Sequence, residues 1–425
     1  MNNKRPLWIF MLIALSLMLI GSVHAQGSVQ PFVAVSGGQL TLVGGAAPGV
    51  IVSPENVGLT SIVWSPDGSQ IAYLLTQPDY SYKLMTVSAA AGATPVAQNT
   101  ATPVSGFPIT YTPEGQIVFI TEGQTPSDSF VMMVQANLLN PQTGEQQMVG
   151  TFGFGVGCGG GSMSPADWQL WTETGFGGSP LVLSWTRYGL LHSTTCGGSG
   201  LALLNISTGT DIPLGNDPIA ANSDPSLGYL MRAVVSPDGE RVATIRHQYQ
   251  EPRPIQTLVL IDLASGAQTD VVTTAYPEQL AWGADGTLFY SIMEAAGGLD
   301  SALTPDQAQK FEQIQGFPAS QLLVYSVGIR QVNPATGEDR LLYSTAASAI
   351  GRMALAADGQ TLVFSQIPNL NLWGAGIADG TLDIANDFSG STQRATVPIT
   401  LYTTPLNGGV VQLVGSGLEQ FALHP

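Results

Sequence analysis

Short apolar runs alternate with short polar turns that end in glycine, and the alternation repeats along most of the chain. Ile62-Val63-Trp64 leads into Ser65-Pro66-Asp67-Gly68 and out through Ile71-Ala72-Tyr73-Leu74. Tyr111 leads into Thr112-Pro113-Glu114-Gly115 and out through Ile117-Val118-Phe119-Ile120. Val235 leads into Ser236-Pro237-Asp238-Gly239 and out through Val242-Ala243-Thr244-Ile245. Looser copies end at Gly286 and Gly359, and the loosest is Trp185-Thr186-Arg187-Tyr188-Gly189. The turn has a plain chemistry. Pro sets φ near −65° early, Asp bonds the local backbone, and Gly takes the positive φ that ends it.

A second glycine turn follows most copies. Asn140 to Gly144, Asn205 to Gly209, Asp262 to Gly266 and Asn333 to Gly337 each separate two apolar runs. One repeat therefore holds four strands, A to D, with tight turns between A and B and between C and D. The first-turn glycines are 47, 74, 50, 47 and 73 residues apart. A four-stranded unit of about 45–50 residues is the signature of a β-propeller blade, and the two long intervals are blades carrying insertions.

The Trp-Ser-Pro-Asp-Gly turn followed by an Ile-Ala-Tyr strand resembles the repeat of the TolB-like β-propellers. Its strict form is confined to residues 64–68 and 235–239, with Glu114 replacing Asp in a third copy. The resemblance spans six repeats and implies an all-β propeller, commonly six-bladed in that family. It implies little about function, because the fold serves binding proteins and accessory domains of peptidases alike.

The chain ends add a further blade. Phe421-Ala422-Leu423-His424-Pro425 reads as an A strand cut off at its turn. Phe32 to Val35, Leu40 to Val43 and Val50 to Val52 read as strands B, C and D. Together they predict a closing blade shared by the two termini, which removes the free edge of the ring. Seven four-stranded blades are favoured, with six as the alternative.

Composition narrows the class. Hydrophobic residues make up 44% and charged residues 10%, so the chain can build a core. A net charge of −17 argues against nucleic acid as a partner. Lys4 and Arg5, the apolar run Pro6 to Ile20, and Gly21-Ser22-Val23-His24-Ala25 read as a cleaved signal peptide over 1–25. The mature chain, 26–425, is expected to be a single, monomeric, secreted or periplasmic propeller without a membrane span. Insertions are placed at about 150–180, 294–320 and 366–396. In a four-stranded meander the B–C and D–A connections share one face, so these insertions fall together on it. Such loops on a rigid scaffold are where binding usually resides.

Candidate chemistry is sparse. No Gly-x-Ser-x-Gly elbow and no P-loop lysine occur, and no room remains for a hydrolase domain. The most site-like cluster is Arg246, His247, Tyr249, Glu251 and Arg253, read as a B–C loop, with ion pairing on a plain surface loop as the simpler account. Trp168, Trp171 and Trp373 lie in insertions and can stack on a sugar or peptide, or fill a core. No metal site is predicted. Asp379, Asp383 and Asp387 raise Ca²⁺ as a possible cofactor, but the spacing lacks the alternation and closing Glu of an EF-hand, so a solvated acidic loop is preferred. Thr304-Pro305-Asp306-Gln307 predicts a helix from about Pro305 to Gln315, with Phe311 and Ile314 inward and Lys310 outward. The sequence thus points to a binding or scaffold module that engages a protein, small-molecule or carbohydrate ligand on its loop-rich face. The rival is a propeller enzyme, a secreted lyase or glycoside hydrolase, with carboxylates at the channel mouth.

Cys158 and Cys196 are the only cysteines. Export permits a disulfide, and both fall on the loop-rich face at the two sides of one blade. A bridge is therefore expected, and a thiol reagent added to the unfolded, unreduced mature protein should label nothing. Labelling of both cysteines would refute the pairing.

Overall fold

The computed structural model describes residues 31–36, 39–43, 49–52, 59–79, 81–104, 106–124, 131–155, 181–195, 198–216, 227–248, 255–274, 277–321, 323–346, 349–367, 399–409, 411–418 and 420–424. The described strands form seven four-stranded antiparallel sheets, the blades of a β-propeller. Three N-terminal strands, β1 (Phe32–Ser36), β2 (Gln39–Val43) and β3 (Gly49–Val52), belong to the closing blade. Blade I is β4 (Leu59–Trp64), β5 (Gln70–Thr76), β6 (Tyr82–Ser88) and β7 (Val96–Ala97). Blade II is β8 (Thr110–Tyr111), β9 (Ile117–Glu122), β10 (Val131–Leu139) and β11 (Gln146–Gly155). Blade III is β12 (Leu183–Thr186), β13 (Gly189–Ser193), β14 (Leu201–Asn205) and β15 (Thr210–Pro213). Blade IV is β16 (Tyr229–Val235), β17 (Arg241–Gln248), β18 (Ile255–Asp262) and β19 (Gln268–Thr274). Blade V is β20 (Pro277–Trp282), β21 (Leu288–Gly298), β22 (Leu323–Val332) and β23 (Asp339–Ala346). Blade VI is β24 (Ala349–Leu355), β25 (Thr361–Ile367), β26 (Ile399–Pro405) and β27 (Gln412–Leu418).

The last strand, β28 (Gln420–Leu423), pairs antiparallel with β1, with Ala34 opposite Phe421. Blade VII therefore takes its A strand from the C-terminus and its B, C and D strands from the N-terminus, as the sequence predicts.

The turns follow the sequence chemistry. The Gly68 N–H donates to the Ser65 carbonyl at 2.9 Å, and Gly68 sits at φ +67°. Asp67 Oδ1 accepts from the Ser65 and Ser69 hydroxyls and the Ser69 N–H. Those bonds favour the carboxylate and hold its pKa down at about 2. Asp238, Asp285 and Asp358 are lowered by equivalent bonds, so these residues shape turns.

Side chains alternate faces along a strand, and each inner strand is buried on both. Ile71 and Tyr73 pack toward blade VII, while Ala72 and Leu74 pack toward blade II. That double burial explains why the B strands read as unbroken apolar runs. The described core divides into seven clusters, one at each blade-to-blade interface, plus a small one under the insertion of blade V. Indoles add bonds between neighbouring A strands. Trp64 Nε1–H donates to the Ala422 carbonyl at 3.0 Å, and Trp282 Nε1–H to the Val234 carbonyl at 2.9 Å.

The predicted helix is present as α1 (Pro305–Gln315), with Thr304 and Gln307 forming a reciprocal capping box and Gly316 at φ +76° ending it. Phe311 is fully buried and Lys310 exposed. Ile314 is not inward as expected; it is 54% exposed. The helix rests on a patch of only Leu299, Leu303, Ala308, Phe311, Phe317 and Ala319. The chain reverses at Gly316, and Phe317 packs edge-to-face on Phe311, completing the patch without Ile314.

Deleting Leu418 to Pro425 should uncover β1 and the interface holding Phe32, Ala34 and Phe421. Each large apolar loss costs about 2–5 kcal/mol against a total of about 5–15. The deletion is expected to be insoluble or strongly destabilised in thermal melts. A truncated chain that melts like the parent would contradict closure by this strand.

Candidate functional site

The A strands surround a central channel, an open cavity of about 460 Å³ to which all seven blades contribute lining residues. The turn glycine serves as a ruler for it. The residues seven positions before Gly68, Gly115, Gly189, Gly239, Gly286 and Gly359 are Ser61, Pro108, Val182, Arg232, Gln279 and Arg352. All six line the channel, so they form one tier around the axis. Arg232, Gln279 and Arg352 come from the consecutive blades IV, V and VI, giving an unbroken Arg–Gln–Arg arc.

The tier is built on irregular backbone. Pairing between A and B strands slips between Thr60 and Val63, Met231 and Ala233, Pro277 and Leu280, and Ile350 and Met353. A bulge of this kind re-aims side chains and leaves backbone groups without ladder partners. Buried hydroxyls on the B strands take them up in blades IV, V and VI, and blade III has the same contact without a slip. Ser193 Oγ accepts from the Val182 N–H at 2.8 Å, Ser291 Oγ from the Gln279 N–H at 2.9 Å, and Ser365 Oγ from the Arg352 N–H at 2.9 Å. Thr244 Oγ1 donates to the Met231 carbonyl at 3.0 Å. Ser61 and Arg232 lie at φ +51° and +52°, a region that costs a non-glycine residue roughly 1–2 kcal/mol. Strain of that kind concentrates at functional sites.

The arc is rich in donors. One guanidinium N–H of Arg352 points to the Phe421 carbonyl at 3.5 Å, and a guanidinium carries five. Gln279 Nε2 is buried and has no hydrogen-bond partner among the described residues. No Asp or Glu is among the described residues lining the channel. The pair of converging carboxylates required by a glycosidase reading is therefore not found among them.

The loop cluster chosen from sequence is placed differently. Arg246 and His247 are not in a loop but in β17, because its ladder with β18 continues to Gln248 opposite Ile255. Arg246 Nη2 bonds Asp270 Oδ2 at 2.7 Å, spanning from the second to the outermost strand of its own blade. His247 Nδ1 lies 3.1 Å from Gln256 Nε2, and burial lowers its pKa, favouring the neutral ring. Neither residue lines the channel. Tyr249, Glu251, Arg253, Trp168, Trp171, Trp373, Asp379, Asp383, Asp387, Cys158 and Cys196 lie outside the described residues.

No family model matches the sequence, and no curated protein matches it. Solved structures do resemble it. TolB from Acinetobacter baumannii is 12% identical with a TM-score of 0.40, covering 77% of this chain and 67% of that one. Hydrazine synthase of Kuenenia stuttgartiensis is 12% identical with a TM-score of 0.43, covering 87% of this chain and 98% of that one. Saccharomyces cerevisiae Sqt1 is 11% identical with a TM-score of 0.46, covering 91% and 82%. The propeller assignment itself stands on the seven sheets.

Ser365→Ala should leave the Arg352 N–H buried without its acceptor. An unsatisfied buried donor costs about 1–3 kcal/mol. Chemical denaturation is expected to show a loss of that size, with a hydroxyl-retaining Ser365→Thr closer to the parent. A Ser365→Ala protein as stable as the parent would show that the bulge does not depend on this bond.

Proposed function

We propose that the protein is an exported propeller that works as a binding or scaffold module, engaging a protein or small ligand from its loop-rich face. The carrying observation is the one-sided distribution of long connections. The A–B turns of blades I to VI and the C–D turns of all seven blades are short, whereas the B–C connection of blade V holds α1 and that of blade VI runs from Ile367 to Ile399. The channel gives this face a concave centre. Arg246, His247, Tyr249, Arg253 and Trp373 remain candidates for contact, because the B–C connections that carry or adjoin them belong to that face. The signal-like residues 1–25 support the export part of this reading. No helix among the described residues is long and apolar enough to cross a membrane.

Orientation-controlled capture tests the proposal. The mature chain would be biotinylated at Thr143, in a C–D turn, or at Glu312, on α1, immobilised, and exposed to exported-fraction proteins and metabolites. The Thr143 orientation should retain a partner that the Glu312 orientation loses. Equal retention from both orientations would contradict binding through the loop-rich face.

A further inference from the structure

We propose that the central channel is a binding site for a small molecule bearing an oxyanion group, a carboxylate or phosphate, held by Arg232, Gln279 and Arg352. This goes beyond the loop-face proposal and does not rest on it, since the ligand is held inside the ring by A-strand residues.

Position comes first. The three side chains occupy equivalent places in three successive blades, so the ring geometry turns them toward one volume. Their chemistry converges too. A guanidinium is a planar fork of donors that matches carboxylate and phosphate oxygens, and it keeps its charge at any physiological pH. Gln279 adds an amide whose Nε2 is enclosed and has no acceptor among the described residues, so it meets a ligand when the amide rotates toward the channel that the residue lines. A buried donor without a partner is costly unless something arrives to accept from it. No described acidic side chain lines the channel to take that place.

Charge economy points the same way. The chain has 13 Lys and Arg against 30 Asp and Glu, yet two of its arginines line this one cavity. Apolar walls strengthen their field: Leu280, Met353 and Phe421 share the channel with them. The cavity, about 460 Å³, falls within the usual range for small-molecule sites of roughly 300–1,000 Å³. The apolar part of the wall suits a carbon skeleton, and the arc suits its anionic end. Ser61, at φ +51° across the tier, supplies a hydroxyl whose oxygen is committed to the Ile109 N–H at 2.7 Å. Accepting that bond fixes the hydroxyl's place and leaves its proton to donate, while the arc carries the charge.

The test is calorimetric titration of the full mature chain with inorganic phosphate and, separately, citrate, at constant ionic strength set with chloride. Saturable one-to-one binding of at least one probe is expected, and the stronger probe identifies phosphate or carboxylate as the preferred group. Arg232→Gln and Arg352→Gln should each weaken it by tenfold or more. Gln279→Glu, which places a carboxylate in the arc while keeping both arginines, should abolish it with an unchanged circular dichroism spectrum. Arg187→Gln, in an exposed A–B turn outside the channel, should bind like the parent. If either arginine variant fails to fold, Gln279→Glu and Arg352→Lys still decide, the latter keeping the charge but losing the fork. The proposal is overturned if neither probe binds saturably, or if Gln279→Glu and the folded arginine variants bind as the parent does. Failure here leaves orientation-dependent capture by the loop face untouched, so the two proposals fail separately.

Discussion

Every blade in this protein is buried on both faces, and that constraint governs the rest. A lone blade would expose two apolar surfaces, and an open row of blades would expose one at each end. Only a closed ring buries all of them, and the seven interface clusters show that it does. The burden of closure falls on the short strand from Gln420 to Leu423. It contributes Phe421 to the interface with blade VI and, through its Ala422 carbonyl, accepts the Trp64 indole N–H from blade I. Four residues therefore join the ends of a chain more than four hundred residues long.

Ring closure also creates the channel. The innermost strands converge on the axis, and in blades I, IV, V and VI a bulge falls at the residue that joins the tier. Regular strands would leave that tier paired and flat. The irregular backbone requires other hydrogen-bond partners, and Ser193, Thr244, Ser291 and Ser365 provide them from the neighbouring strand. In blades III to VI the B strand sets one buried hydroxyl against this stretch of the A strand. That hydroxyl couples the packing of the blade to the lining of the channel.

Much of this was legible in the sequence because turn chemistry is local. Pro66 fixes its own φ, and Asp67 and Gly68 act through bonds to residues two or three positions away, so the repeat, the blade count and the split closing blade can be read directly. The same holds for α1, whose capping box is a four-residue signal. Ile314 was misread because its burial depends on how far the supporting patch extends, which no local pattern records. Arg246 was singled out for its polar neighbours, yet it is engaged with Asp270 across its blade. The arc has no local signal because the residues of its tier differ in kind: Ser61, Pro108, Val182, Arg232, Gln279 and Arg352 share only their distance from the turn glycine. Aligning the repeats on that glycine and reading the column seven positions upstream would have found them. Trp64 and Trp282, one position before the turn, were visible in the same column-wise way.

Native-state hydrogen exchange on residues 26–425 tests the central claim, that the ring is one cooperative unit closed by its C-terminal strand. If the C-terminal strand closes the ring, the amides of Val33 and Val35 should exchange only through global unfolding, at the same free energy as Val242 and Ile245 in blade IV. Exchange of Val33 and Val35 at a free energy far below that of blade IV would show that the seam opens on its own. The ring would then not depend on its closure.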